Sequence, residues 1–358
     1  MSRRPVPFPV DGEGRGGVHE ICAMLTYILR RLVLIVVVLL GLSVLTFAIA
    51  RVIPADPVLL AAGPRASPEQ VQRLREQYGY DKSLPEQYLK YMSDLLRGDL
   101  GDSVFFKRPV GPDLARFFPA TLELVLAAML IGLVLGVPLG LISAVYRDKW
   151  PDQIARFISL GGVSFPNFWL AIILQLTVAF TLGLLPITGR FDRVVTPPTY
   201  VTGLYTIDSL VALNFPALGM ALRYLLLPAI CLSLGTLAVL ARTVRADTLE
   251  VLATDHIRTA RAIGIPEVAL ILKYALKNAS LNTLTQAGLF FGYTLTGSVL
   301  VENIFSWPGI GNYAVSAALT KDFVPLMGTT LLIGFAIVVV NLITDLLYAV
   351  LDPRIRYA

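Results

Sequence analysis

The sequence predicts an all-α polytopic membrane protein with six transmembrane helices. Three observations carry that reading. Of the 358 residues, 55% are hydrophobic and only 15% are charged, whereas a soluble domain carries about 25% charged residues. The mean hydropathy is +0.69. Six stretches are apolar over the ~20 residues that a helix needs to cross hydrocarbon. They are Leu32–Ala50, Leu124–Val145, Phe157 to about Leu185, Tyr224–Ala241, Ala279–Val301 and Phe323–Thr344.

The chain opens on 23 residues, "MSRRPVPFPVDGEGRGGVHEICA", rich in Pro, Gly and charge. Such a composition buries too little apolar surface to order itself, so residues 1–23 are expected to be a disordered tail. "SRR" is not followed directly by an apolar run, which excludes a twin-arginine export signal. Met24 begins "MLTYILRRLVLIV" and reads as the true start, with the first span inside residues 24–53.

Residues 54–118 then form a helical segment on the outer side. Ser67 is an N-cap, Pro68 occupies the first helical position, and Gln70 stands where a capping box takes Glu or Gln. Gly79 suits a left-handed stop. A second helix is expected from Pro85 to Arg97, ending at Gly98. Two short helices between spans make a docking surface, a lid, or simply a packed loop. Residues 119–358 hold spans two to six, with an outer loop over 186–222 rich in Pro, Gly, Thr and aromatics. Pro138, Pro166 and the many span glycines permit kinks or close helix contact.

Orientation follows from basic residues at the span ends. Arg30 and Arg31, then Arg147, Lys149 and Arg156, then Arg242, Arg245, Arg258, Arg261, Lys273 and Lys277, and finally Arg354 and Arg356 all fall on one side. That side is the cytoplasm, and both termini lie there. The same bias explains the formal charge of +5. No basic cluster is interleaved with aromatics, which argues against a nucleic-acid partner. Cys22 and Cys231, His19 and His256 are too few and scattered for a disulfide framework, a metal site or a catalytic set. Glu123, Glu302 and Asp345 lie near span ends and are read as ion pairs or helix caps, whereas Gln175 and Gln286 sit deeper and are candidates for lining a transport path.

The segment 247–279, between spans four and five, is more than a connector. Leu249, Ala253, Ile257 and Ala260 recur at helical spacing. Asp255 and Arg258 can pair at i,i+3. Gly264 suits a left-handed stop and Pro266 a helix start. Val268, Ile271, Leu272 and Ala275 form a second apolar stripe. A helix this short is marginal alone, so it must pack on the membrane surface, on the protein's own spans, or on a partner.

This stretch resembles the cytoplasmic coupling loop, the "EAA" loop, of ATP-binding-cassette importer permeases. Counting from Gly264, the EAA positions fall on Arg258, Thr259 and Ala260, and the IxLP positions on Tyr274, Ala275, Leu276 and Lys277. Ala260, Gly264 and Leu276 match. "DHIRTARAIG…ALKNA" is similar to the variant in the dipeptide/oligopeptide/nickel branch. "ILRRL", "IPADPV", "YLKYMSDLLRGDLGDS", "PATLEL", "RTARAIG", "ENIFSWPGIGNY" and "NLITDLLYAVLDPRIR" resemble that branch in the same order, from Met24 to Ala358. They are also similar to the first of its two permease subunits.

The resemblance implies a type I importer permease fold. It implies a second permease in a heterodimer, two ATPase subunits that bind ATP and Mg, and a solute-binding protein outside. This chain itself has no phosphate-cradling GxxxxGK[ST] loop and no cofactor, and it is not expected to be an enzyme. Asp255, Arg258, Thr259, Ala260, Arg261, Gly264, Pro266 and Leu276 would form the ATPase-coupling loop, with both arginines facing acidic groups on the ATPase. The expected cargo is short peptides, with nickel chelates, glutathione or opine-like compounds as alternatives. An ion-coupled secondary transporter is the rival class, but it calls for ionisable groups at mid-membrane and an internal repeat, and neither is visible.

Overall fold

The computed structural model describes residues 16–52, 57–63, 66–77, 79–192 and 195–351. Residues 1–15 of the expected tail, part of "IPADPV", and Arg354 and Arg356 lie outside the described residues. The first span is α1 (Gly16–Val52), which begins inside the stretch expected to be disordered. The physical reason is cooperative: once the span is nucleated, each added residue gains a hydrogen bond, and residues 18–23 contain neither Gly nor Pro.

The outer segment follows as α2 (Pro57–Ala62), α3 (Pro68–Gln77) and α4 (Leu84–Leu96). The capping box of α3 is present: Gln70 N–H donates to Ser67 Oγ at 3.2 Å, and Ser67 N–H to Gln70 Oε1 at 3.0 Å. Gly79 and Gly98 take φ of 70° and 80°, the left-handed stops the sequence predicts. The Tyr88 hydroxyl of α4 lies 2.9 Å from Ser43 Oγ, and Phe47, Tyr88 and Tyr91 cluster where α4 meets α1.

The core comprises α5 (Val110–Val145), α6 (Trp150–Ser164), α7 (Asn167–Leu174), α8 (Tyr205–Val211) and α9 (Phe215–Leu252). It continues with α10 (Asp255–Ala262), α11 (Glu267–Ala269), α12 (Leu276–Ile304), α13 (Ile310–Leu319) and α14 (Phe323–Leu351). α7 runs on into a π-helical turn at Gln175–Thr181, and a second π turn, Leu270–Ala275, joins α11 to α12. No strand occurs among the described residues.

α9 is the central helix, and small residues let its neighbours approach it. On α5, Gly132, Gly136 and Gly140 repeat every four residues. A Cβ on Gly136 would lie 2.9 Å from Leu237 O, and one on Gly140 2.6 Å from Ala241 O. Gly162 of α6 meets Leu234 O the same way, at 2.7 Å. Without a hydrophobic force between helices in lipid, such close backbone contact is what holds them together. By contrast α1 is mostly exposed and rests on α14, where Arg31 pairs with Asp345 at 2.9 Å.

The third span differs from its expected single run over 157–185. α6 and the α7–π segment meet at an angle of 105°. Phe165 (φ −93°, ψ 130°) and Pro166 (φ −60°, ψ 136°) are both extended. Proline lacks the N–H that would continue the ladder, and it disfavours helical backbone in the residue before it. Yet Pro119, Pro138 and Pro228 sit inside continuous helices. Proline permits a break, and the packing around it decides.

Candidate functional site

The predicted coupling residues come together in one small unit at the end of α9. Thr254 is the N-cap of α10, with Asp255 in the first turn, where a negative charge complements the helix dipole. Arg258 Nη1 pairs with Asp255 Oδ1 at 3.2 Å, and Thr259 Oγ1 donates to Asp255 O at 3.0 Å. Gly264 has φ +86°. Its N–H donates to Arg261 O, and Ile265 N–H to Ala260 O, both at 3.1 Å, which together make a Schellman stop. Pro266 is the N-cap of α11 and not its first residue. Arg261 Nη2 reaches over the turn to Glu267 Oε2 at 3.2 Å. Leu276 is the first residue of α12.

The unit has its own core. Ile257, Ala260 and Leu270 are buried against Val251, Leu252, Ile265 and Tyr274. Its second stripe differs from the expected one: Leu270 and Ala275 are fully buried, while Val268 and Leu272 are 67% and 56% exposed. Val268 and Leu272, four residues apart, share a face that is turned outward, and the π turn, an i→i+5 ladder, sets Ala275 with Leu270 on the buried side instead. Ala253 of the first stripe is exposed as well. The outcome is an apolar tip in which Ile263, 73% exposed, joins Val268 and Leu272 around the glycine turn. Both arginines expected to face a partner are paired within the loop. Arg261 holds the Glu267 carboxyl below the usual glutamate range, chiefly by its hydrogen bond.

A buried carboxylate ties the spans together beside this unit. Asp152 of α6 accepts from Arg245 Nε of α9 at 2.8 Å, from Ser143 Oγ of α5 at 2.5 Å and from Arg156 of its own helix. Asn282 Nδ2 of α12 donates to Asp247 Oδ1 of α9 at 3.2 Å.

The opposite end is latched by two further carboxylates. Glu302 Oε2 accepts from the Gly311 and Asn312 amides at 2.7 and 3.1 Å, and Oε1 accepts from Thr121 Oγ1 at 2.7 Å. The carboxylate thereby cages the "FSWPGIG" turn between α12 and α13. Glu123 accepts from Arg190 Nη2 at 2.6 Å and from the Thr206 amide at 2.7 Å. The Arg190 guanidinium lies 3.9 Å from the Tyr205 ring centroid and 5.7 Å from that of Trp307. Arg190 carried no local signal in the sequence; an arginine in a Pro/Gly-rich loop of a membrane protein was the only available hint. Asp208 secures the same loop. Hydrogen bonds from Thr202, Val201 and Gly203 outweigh its burial and hold its carboxyl below the usual range.

Gln175 and Gln286 do not converge. The Gln175 amide donates to Ile187 O at 3.0 Å and Ile304 O at 3.1 Å. Gln286 is half-buried on α12, two turns before Tyr293.

Residues 136–357 match the family described as the binding-protein-dependent transport system inner membrane component, and residues 24–124 match the N-terminal region of such membrane components. The chain belongs to this family. The permease is 44% identical over 321 residues to the probable D,D-dipeptide transport system permease protein DdpB of Escherichia coli K12, covering 90% of its own length and 94% of that protein. It is 40% identical over 334 residues to the dipeptide transport system permease protein DppB of Alkalihalophilus pseudofirmus OF4, covering 93% and 100%. The glutathione transport system permease protein GsiC of E. coli CFT073 is 35% identical over 334 residues, again covering 93% and 100%. An inward-facing structure of the MetNI methionine ABC transporter aligns with a TM-score of 0.49 and 17% identity, over 67% of the permease and 96% of that chain. The permease is thus a membrane-embedded, multi-pass subunit of an ATP-binding-cassette importer. ATP hydrolysis belongs to separate ATPase subunits, and a binding protein delivers the solute.

Proposed function

We propose that the permease imports short peptides, in a heterodimer with a second, similar permease, two ATPase subunits and an outer solute-binding protein. The relatives at 40–44% identity named for dipeptide transport support the substrate class. The α10–turn–α11 unit is the contact to an ATPase subunit, and it lies in the cytoplasm with both termini. The observation that carries this role is the exposed apolar tip of Ile263, Val268 and Leu272, held rigid from beneath by Ile257, Ala260 and Leu270.

Coupling then follows from linkage. Nucleotide favours one arrangement of the ATPase pair, and a docked, rigid tip makes the spans share that bias. α10 and the π turn pack onto the end of α9. α9 in turn is held to α5 and α6 by the glycine contacts and Asp152, so displacement of the tip is passed to a packed block of helices. Gln286 and Gln175 remain candidates for the path.

The test is co-expression with the neighbouring transporter subunits, purification through a tag on the permease, and reconstitution in vesicles. ATP-dependent uptake of dipeptides, stimulated by loaded binding protein, is the expected result. Recovery of no ATPase subunit, or uptake driven by an ion gradient alone, overturns it. A panel of glutathione, nickel chelates and opine-like compounds in the same vesicles tests the substrate class.

A further inference from the structure

Between the start of α7 and the middle of α9 and α12 lies a groove of about 470 Å³, within the ~300–1,000 Å³ of small-molecule sites. None of its lining side chains is charged. Thr236 and Thr294 are buried at its floor with their hydroxyls 3.3 Å apart. Asn167 stands at its edge, half-buried, and its carboxamide makes no hydrogen bond to protein among the described residues. Thr296 adds a hydroxyl, and Phe290 and Tyr293 form a wall with ring centroids 5.6 Å apart.

The break between α6 and α7 adjoins this groove, because Asn167 is the first residue after Pro166. Non-helical backbone at membrane depth cannot face lipid and must border protein or water. Phe165 and Pro166 are exposed in this chain, so this side meets one or the other in the assembled importer.

We infer that the groove carries the transported peptide, its backbone against Asn167 and the threonines and its side chains against Phe290 and Tyr293. This rests on the peptide-import reading above. Peptide amides leave water at a cost unless they are partnered. The Asn167 carboxamide both donates and accepts, while the threonine hydroxyls, whose protons go to Gly292 O, Met129 Sδ or one another, offer lone pairs that accept from peptide N–H groups. With no fixed charge on the wall, neither terminus of the peptide is trapped on its way through.

Gly235 supplies the test. A Cβ there meets nothing within 4 Å, although the residue lines the groove. A Cβ therefore has room there, and a side chain grown from it starts at the groove wall. The complete importer is prepared with Gly235→Ala, Gly235→Leu and Gly235→Trp, and uptake of glycylglycine is compared with that of dipeptides of two aromatic residues. Uptake should fall in that order, at least tenfold for the tryptophan variant, with aromatic dipeptides losing more than glycylglycine. Recovery of the partner subunits should not change. Asn167→Leu should raise the half-saturating concentration for both peptides. Unchanged uptake by Gly235→Trp, equal loss for small and large peptides, or loss of the second permease from Gly235→Leu overturns the inference; the last outcome makes the groove a subunit interface. If the wild-type importer moves no peptide at all, the peptide reading falls and this occupant falls with it. Wild-type uptake with indifferent variants removes the groove alone.

Discussion

Gly264 shows what one residue contributes to this molecule. A Cβ on it would touch nothing within 4 Å, yet its φ is +86°, so any penalty on substitution is conformational. Left-handed backbone costs an L-residue roughly 1–2 kcal/mol, least for Asn and most for β-branched residues. Gly264→Asn should therefore keep ATP-coupled uptake, while Gly264→Val should insert normally but hydrolyse ATP without transport. Wild-type uptake by the valine variant would contradict this. Arg190 offers the opposite case, a residue defined by its partners. Arg190→Met strands the buried Glu123 charge, and removing one member of a buried pair costs about 3–5 kcal/mol. Adding Glu123→Gln should recover part of that loss in thermal unfolding of the purified importer. The loop charges do lie at the surface, with the Arg258 side chain 70% and that of Arg261 47% exposed, but each is also paired within the loop. Spacing reveals that Asp255 and Arg258 can meet, but not that Arg261 will find Glu267 across a turn whose shape only the fold supplies.

Among elements, α5 is sensitive to volume along its glycine face. Gly136→Ala places its Cβ 2.9 Å from a backbone oxygen of α9, and overpacking of this kind costs typically 1–3 kcal/mol. It should lower the melting temperature of the importer, whereas Gly161→Ala, where a Cβ meets nothing, should not. The coupling loop responds to acid instead. Glu267 titrates below the usual glutamate range when folded, because of Arg261. Its pairing therefore contributes stability above that range and loses it as the pH falls through the depressed value. Glu267→Gln should bring to neutral pH the amide exchange around Ile265–Leu270 that wild type shows only in acid, once intrinsic rates are removed. Helix starts and stops in these elements were legible because capping is local: Ser67 and Gln70, Gly79, Gly98 and Gly264 each act within a few residues. The apolar stripe after Pro266 was not, since a π turn leaves no mark in a periodicity that presumes 3.6 residues per turn.

For the whole molecule, hydropathy alone was enough to place five of the six expected spans as single helices, because lipid demands a continuous apolar run wherever a helix crosses; the remaining one is the pair bent by 105°. Hydropathy could not separate Pro166, which breaks a span, from Pro138 and Pro228, which do not. That difference depends on which neighbours re-satisfy the freed backbone groups. The long-range ties, Glu302 to the amides after Trp307, Glu123 to Arg190, and Asp152 to Arg245, were equally hidden. Each joins residues brought together only by helix packing. The groove beside the break was hidden for the same reason, since its floor is built from two threonines 58 positions apart.

Between Arg261 and Leu272 the loop carries one positive and one negative side chain, and they neutralise each other. A knob of this kind is gripped by exclusion of water and hardly at all by attraction across distance. Raising ionic strength shortens the reach of charge but strengthens or leaves untouched the burial of apolar surface. The ATPase subunits should thus stay on the permease through a high-salt wash and come away in a short-chain detergent. Ile263→Asp should reverse the pattern by making the joint weak and salt-dependent.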